Sequence, residues 1–90
     1  MEVQKKVKIL NHLGLHLRAA AQFVKTSSKF KCRILVKSHM GPVDGKSLLN
    51  LMTLAASYGS ELTIIFQGED ARDACQEIQE LFLSKFGEKD

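Results

Sequence analysis

The sequence contains no tryptophan, one tyrosine and one proline. It therefore lacks the surface aromatics, interleaved along strands, on which single-stranded nucleic acid stacks. The basic balance alone would permit nucleic-acid binding, but it is weaker than the dense basic stripe such proteins carry, so no nucleic-acid partner is expected. There are two cysteines, Cys32 and Cys75, far apart and in no CxxC pattern. Both fall in apolar patterns and read as buried free thiols rather than a disulfide or a metal pair. No apolar run approaches the roughly 20 residues that span a bilayer, so no membrane insertion is expected. The opening segment, with Glu2 and alternating lysines, does not resemble a signal peptide, and the chain reads as cytoplasmic. Repeats, low-complexity stretches and linkers are missing too. The 90 residues read as one domain spanning 1–90.

A hydrophobic content of 44% is ordinary for a globular chain. Thirteen Lys and Arg against ten Asp and Glu give a formal charge of +3, which favours acidic partner surfaces. Period-two alternation predicts a strand over residues 3–10, with Val3, Val7 and Ile9 on one face beside Lys5. Helical spacing of Ala20, Phe23, Val24 and Ser27 predicts an amphipathic helix from Leu17 to about Lys29. A second strand is predicted over 31–38, a turn at Ser38–Gly41, and a short strand at about 41–44 whose Pro42 favours an edge. A helix is expected over 47–57 with Gly59 as its stop, then a strand over 61–67. The last helix begins near Asp70, read as its cap. Ala71, Ala74, Cys75, Ile78, Leu81, Phe82 and Lys85 form its inward stripe, and Gly87 lies past its end. The order β-α-β-β-α-β-α implies an α+β fold. Half-polar strands and half-apolar helices make it an open-faced β-sandwich: a four-stranded antiparallel sheet with three helices packed on one face.

The stretch Gly14-Leu15-His16-Leu17-Arg18-Ala19-Ala20-Ala21 places an imidazole between a glycine turn and the first turn of a helix. A helix start offers free N–H groups and partial positive charge, which suit an anion. Arg18 adds a guanidinium able to grip phosphate oxygens. The neutral ring of His16 has a free nitrogen that can attack phosphorus at cellular pH. The bland reading of His16, a polar residue flanking a helix, stands beside this one. Ser47 reads as a helix cap, which is compatible with its being a modification site. Lys46 beside it reads as a solvated charge. Leu48 and Leu49 are adjacent on their helix, so one of them should lie outside the core; with Met52 they are either scattered surface apolar residues or an exposed apolar patch. Lys25 and Lys29 could rim such a patch. His12 and His39 read as exposed loop residues, and His12 with His16 lacks the further ligands a zinc site needs, so no metal and no cofactor is expected. Tyr58 reads as an anchor at the end of the middle helix. Asp44-Gly45 reads as a turn, and Glu69 and Asp73 as helix-start charges.

These residues resemble the histidine-containing phosphocarrier proteins (HPr) of the bacterial phosphoenolpyruvate-dependent sugar phosphotransferase system. The resemblance rests on Gly14-Leu15-His16-x-Arg18 with Ala20-Ala21-Gln22-Phe23-Val24-Lys25, on Gly45-Lys46-Ser47-Leu48-Leu49-Asn50-Leu51-Met52-Thr53-Leu54, and on Gly59-Ser60-Glu61-Leu62-Thr63-Ile64. It covers almost the whole chain. It implies a phosphoryl carrier, not a self-sufficient enzyme: His16 would take phosphate on Nδ1 from the phosphoenolpyruvate-dependent first enzyme, beside Arg18, and donate it to downstream phosphotransferase components. It implies a partner-binding surface of Leu17, Ala21, Lys25, Leu48, Leu49 and Met52. It makes Ser47 a regulatory candidate, with a serine kinase and phosphatase as candidate partners, and it leaves open a regulatory protein acting mainly through Ser47. Three positions depart from the family pattern. Leu13 stands where a polar residue is usual, Leu17 where a small one is, and Ala19 where proline is. A bulkier, more apolar rim would alter which partners are accepted.

Overall fold

Strand β1 (Glu2–Lys8) buries Val7 and half-buries Val3 and Lys5, while Glu2, Gln4, Lys6 and Lys8 stay exposed, as strict alternation on a one-sided sheet requires. The computed structural model describes all residues 1–90. After β1 come α1 (Leu17–Ser27), β2 (Arg33–Lys37), β3 (Val43–Asp44), α2 (Leu48–Met52), β4 (Glu61–Gln67) and α3 (Ala71–Leu83), followed by a 3-10 turn at Lys85–Gly87. The sheet runs β1-β4-β2-β3 with every pair antiparallel. In β4, Leu62, Ile64 and Phe66 face the helices and Thr63, Ile65 and Gln67 face away. One core of twenty residues fills the space between sheet and helices. Phe23 of α1 meets Phe82 of α3 edge-on at 6.0 Å, so the first and last helices lie side by side. This is the expected four-stranded antiparallel sheet carrying three helices.

Several boundaries differ from those expected, each for a visible reason. The middle helix does not run to residue 57. After Met52 the amides of Thr53, Leu54 and Ala55 turn to carbonyls three residues back, and Ala55 adopts a left-handed φ of 48°. That tightening sends Leu54 and Ala56 into the core. Helix α1 stops at Ser27, whose buried hydroxyl donates to the Gly45 carbonyl at 2.8 Å, and Lys29 and Phe30 follow in tight turns. Strands β1, β2 and β3 are each shorter than the sequence pattern suggested.

Asp70 occupies the N-cap position of α3 but does not cap it with its side chain. Its carboxylate instead accepts the amides of Lys31 and Cys32 at 2.8 and 2.9 Å, tying the β2 entry to the α3 entry. Those amides hold the carboxyl below its usual range. Cys32 is buried, and burial with the nearby Asp70 carboxylate pushes its thiol up to about 11. Cys75 is only half-buried, because it sits at the margin of the α3 stripe. Lys85 is not part of that stripe. Helix α3 ends at Leu83, and Lys85, Phe86 and Gly87 take left-handed backbone in succession. This reversal buries Phe86 against Phe82, ring centroids 5.0 Å apart.

Candidate functional site

The loop between β1 and α1 is fixed from below. Gly14 takes φ +72°, and a Cβ there would lie 2.7 Å from the Ala56 carbonyl oxygen, so only glycine lets the loop press onto the α2–β4 connection. One residue on, the Leu15 amide donates to that same carbonyl at 2.9 Å while its side chain enters the core. The chain then arrives at His16 in extended conformation (φ −76°, ψ 177°), and His16 becomes the N-cap of α1. Its carbonyl accepts the first helical bond, from the Ala20 amide at 2.8 Å.

The side chain of His16 does not cap the helix, and the first turn of α1 has no acidic residue. The amides of Leu17 and Arg18 therefore donate to nothing within the chain, and the positive end of the helix is not neutralised by its own sequence. The His16 side chain is 27% exposed and points Nε2 at the Glu88 carboxylate, 2.5 Å from Oε2. Nδ1 forms no hydrogen bond. Arg18 is exposed on the first turn. Burial opposes ionisation of Glu88. The hydrogen bonds from His16 and Asn11 and the nearby charge of Arg18 outweigh it and hold this carboxyl below the usual carboxylate range. Together these groups form a cradle that can receive a small dianion beside a ring nitrogen with a free lone pair.

The expected docking residues divide. Leu17, Ala21 and Lys25 are exposed on α1, and Leu49, at 80% exposure, and Met52 are exposed on α2, which packs against α1. Leu13 is exposed on the loop before the site. Leu48 is half-buried and packs on the core, so of the adjacent pair it is Leu49 that lies outside. Lys29 is drawn away from any rim by its ion pair with Glu77 of α3. Ser47 caps α2 as expected: its hydroxyl oxygen accepts the Asn50 amide at 3.2 Å and the Asn50 side-chain nitrogen at 3.0 Å. Lys46 is not simply solvated. It is half-buried, and its ammonium donates to the Phe30 carbonyl at 2.5 Å. Tyr58 lies beyond the end of α2, exposed, with its ring edge-on to His12 at 4.7 Å. His39 is exposed.

Two residues of the site escaped the sequence reading, Glu88 and Asn11. The buried Asn11 sits beneath the site, where its side-chain nitrogen donates to the Gly14 carbonyl at 2.8 Å and to Glu88 Oε1 at 3.0 Å. The available signal was Phe86-Gly87 just past an amphipathic helix. An aromatic beside a glycine at that place marks a chain reversal that returns the following residues to the body of the protein.

The geometry places an imidazole beside a helix start whose first amides are unpaired. Residues 3–84 match the family described as PTS HPr component phosphorylation site. The chain is 37% identical over 86 residues to the phosphocarrier protein HPr of Xylella fastidiosa (strain Temecula1), covering 96% of this chain and 97% of that one. It is 38% identical over 87 residues to the phosphocarrier protein HPr of Treponema pallidum (strain Nichols), covering 97% and 99%. Among solved structures it resembles HPr-C-His from Thermoanaerobacter tengcongensis with a TM-score of 0.93 and 37% identity, over 97% of this chain and 98% of that one. The chain belongs to the HPr phosphocarrier family. It is a carrier of phosphoryl groups within a phosphotransferase system, not a catalyst in its own right.

Proposed function

We propose that His16 is the residue that carries the phosphoryl group and that Arg18 stabilises it. The observation that supports this most directly is the arrangement at the start of α1. His16 is an N-cap without a side-chain cap, beside unpaired amides, with Nε2 engaged and Nδ1 free. The Nδ1 lone pair attacks phosphorus, and the phosphoryl oxygens settle against the Leu17 and Arg18 amides and the Arg18 guanidinium. The first enzyme, dependent on phosphoenolpyruvate, supplies the group, and downstream phosphotransferase components receive it. All act in the cytoplasm on one domain comprising residues 1–90.

Partners dock on the exposed side chains flanking the site: Leu17, Ala21 and Lys25 of α1 and Leu49 and Met52 of α2, with Leu48 beneath them. Adaptable Leu and Met side chains suit a surface that meets several partners in turn. Ser47 is the regulatory position, addressed by a serine kinase and phosphatase. A phosphate on Ser47 would replace the cap with a stronger acceptor for the Asn50 donors and would add negative charge to the docking face.

The test is incubation of the chain with phosphoenolpyruvate and the first pathway enzyme. The expected product is one acid-labile phosphoryl group per chain, absent in His16→Ala. Label that resists acid, or that persists in His16→Ala, would refute the assignment.

A further inference from the structure

The segment after α3 is built to deliver one carboxylate to the back of the His16 ring. Three successive left-handed residues, Lys85, Phe86 and Gly87, reverse the chain. Phe86 is buried against Phe82 and anchors the reversal. Beyond it the main-chain oxygen of Asp90 accepts the His12 amide at 2.8 Å, so the segment is held on both sides of Glu88. The Glu88 side chain is only 14% exposed, and each of its oxygens has a different partner. Oε1 accepts from Asn11 Nδ2 and Oε2 meets His16 Nε2. Asn11 is fully buried, and its nitrogen is committed to both Gly14 and Glu88 while its Oδ1 finds no partner. A buried amide that forgoes one acceptor bond has been placed for its donors.

We propose that Glu88, steadied by Asn11, is a positioning residue that fixes His16 in the Nε2–H tautomer and so keeps the Nδ1 lone pair permanently directed at the phosphoryl site. This rests on the carrier role of His16 given above. An ionised carboxylate can only accept, so the proton between Glu88 and His16 belongs to Nε2. In a neutral ring that leaves Nδ1 without a proton. During acceptance, the Nδ1 lone pair forms the N–P bond. The bond from phosphorus to the donor's leaving atom breaks, and its electron pair stays with the donor. The ring becomes a phosphoimidazolium that still holds its Nε2 proton, and the Glu88 charge balances it. Donation runs the same steps backward and releases the ring as the neutral Nε2–H form. No proton has to be gained or lost in either direction, so the ring is ready for the next group as soon as it is empty. The pattern is the one by which second-layer carboxylates set the tautomer of metal-binding and catalytic histidines.

Two measurements on the full chain test this, ring-nitrogen 15N spectra of His16 and single-turnover phosphoryl transfer, each for wild type, Glu88→Ala and Glu88→Asp. The wild-type spectrum should show one neutral tautomer, with Nε2 protonated. Glu88→Ala should show a mixture of tautomers and transfer about tenfold slower, and Glu88→Asp should fall between the two. An unaltered tautomer ratio in Glu88→Ala, or a transfer rate within twofold of wild type, overturns the proposal. If wild type takes no phosphoryl group on His16, the carrier assignment fails instead, and the spectra alone decide whether Glu88 sets the tautomer.

Discussion

At the start of α2, Ser47 folds its hydroxyl back onto the Asn50 amide; at the start of α1, His16 turns its side chain away and leaves the amides of Leu17 and Arg18 unpaired. One helix has five residues and the other eleven. The short one satisfies one of its own donors, the Asn50 amide, and leaves those of Leu48 and Leu49 unpaired. The long one, whose aligned peptides build the larger dipole, satisfies none of its first three, those of Leu17, Arg18 and Ala19. The two neighbouring helix starts thus differ at one donor: Asn50 is capped by a side chain and its counterpart Ala19 is not. Helix α3 shows a third solution: Asp70 stands at the cap position but gives its carboxylate to the preceding connection at Lys31 and Cys32.

The contrast can be broken most severely at its foundation. Gly14→Ala would drive a Cβ into the Ala56 carbonyl from a left-handed backbone. It should cost about 3 kcal/mol in a denaturant titration. A loss under about 1 kcal/mol would mean that the loop is not pressed onto the α2–β4 connection as described. Next comes Ser47→Ala, which removes the cap of α2 and should cost about 1 kcal/mol. Transfer through His16 in that variant should stay at the wild-type rate, since only the closed helix start has been changed.

The complementary exchange, His16→Ser, closes the open start. It should abolish phosphoryl acceptance while leaving stability at or above wild type to within about 0.5 kcal/mol, because a serine cap offsets the lost contact with Glu88. A clearly lower melting temperature would show that the imidazole is a structural support as well. The smallest effect concerns Asp70. Its carboxyl is held below its unfolded value of about 3.9, so the folded state binds fewer protons in that window. The stability it adds is therefore complete above the unfolded value and fades as pH falls through the folded one. The difference in melting temperature between wild type and Asp70→Ala should be constant near neutrality and should shrink below about pH 4. A gap that persists undiminished in acid would assign the effect to packing.

Much of this was legible in the residue pattern, and the exceptions have physical causes. The alternation of Leu62, Ile64 and Phe66 and the stripe of Ala71, Ala74, Ile78 and Phe82 report burial directly, because each follows the period of its own element. Gly14, His16 and Arg18 stand at alternate positions of one short stretch and could be read together. What could not be read were contacts whose partners are remote in sequence. Periodicity extends the middle helix to residue 57, yet the need of the Leu15 amide for the Ala56 carbonyl draws the chain out of helix soon after Met52. An aspartate before a helix reads as a cap until the fold offers it two amides from another connection. Glu88 lies 72 positions from His16, and no local rule pairs them. The same holds for Lys46, a solvated charge by sequence that finds the Phe30 carbonyl through the turn at Gly45.

The order of the sheet bears on how the protein meets copies of itself. The outermost strands are β1 and β3. The latter offers only two residues of ladder, and the former carries Lys6 and Lys8 outward and turns Lys5 toward the covered face. A lysine pointing inward at a border strand would be trapped without water if another chain extended the ladder there. The border therefore resists lengthening of the sheet by a copy of itself.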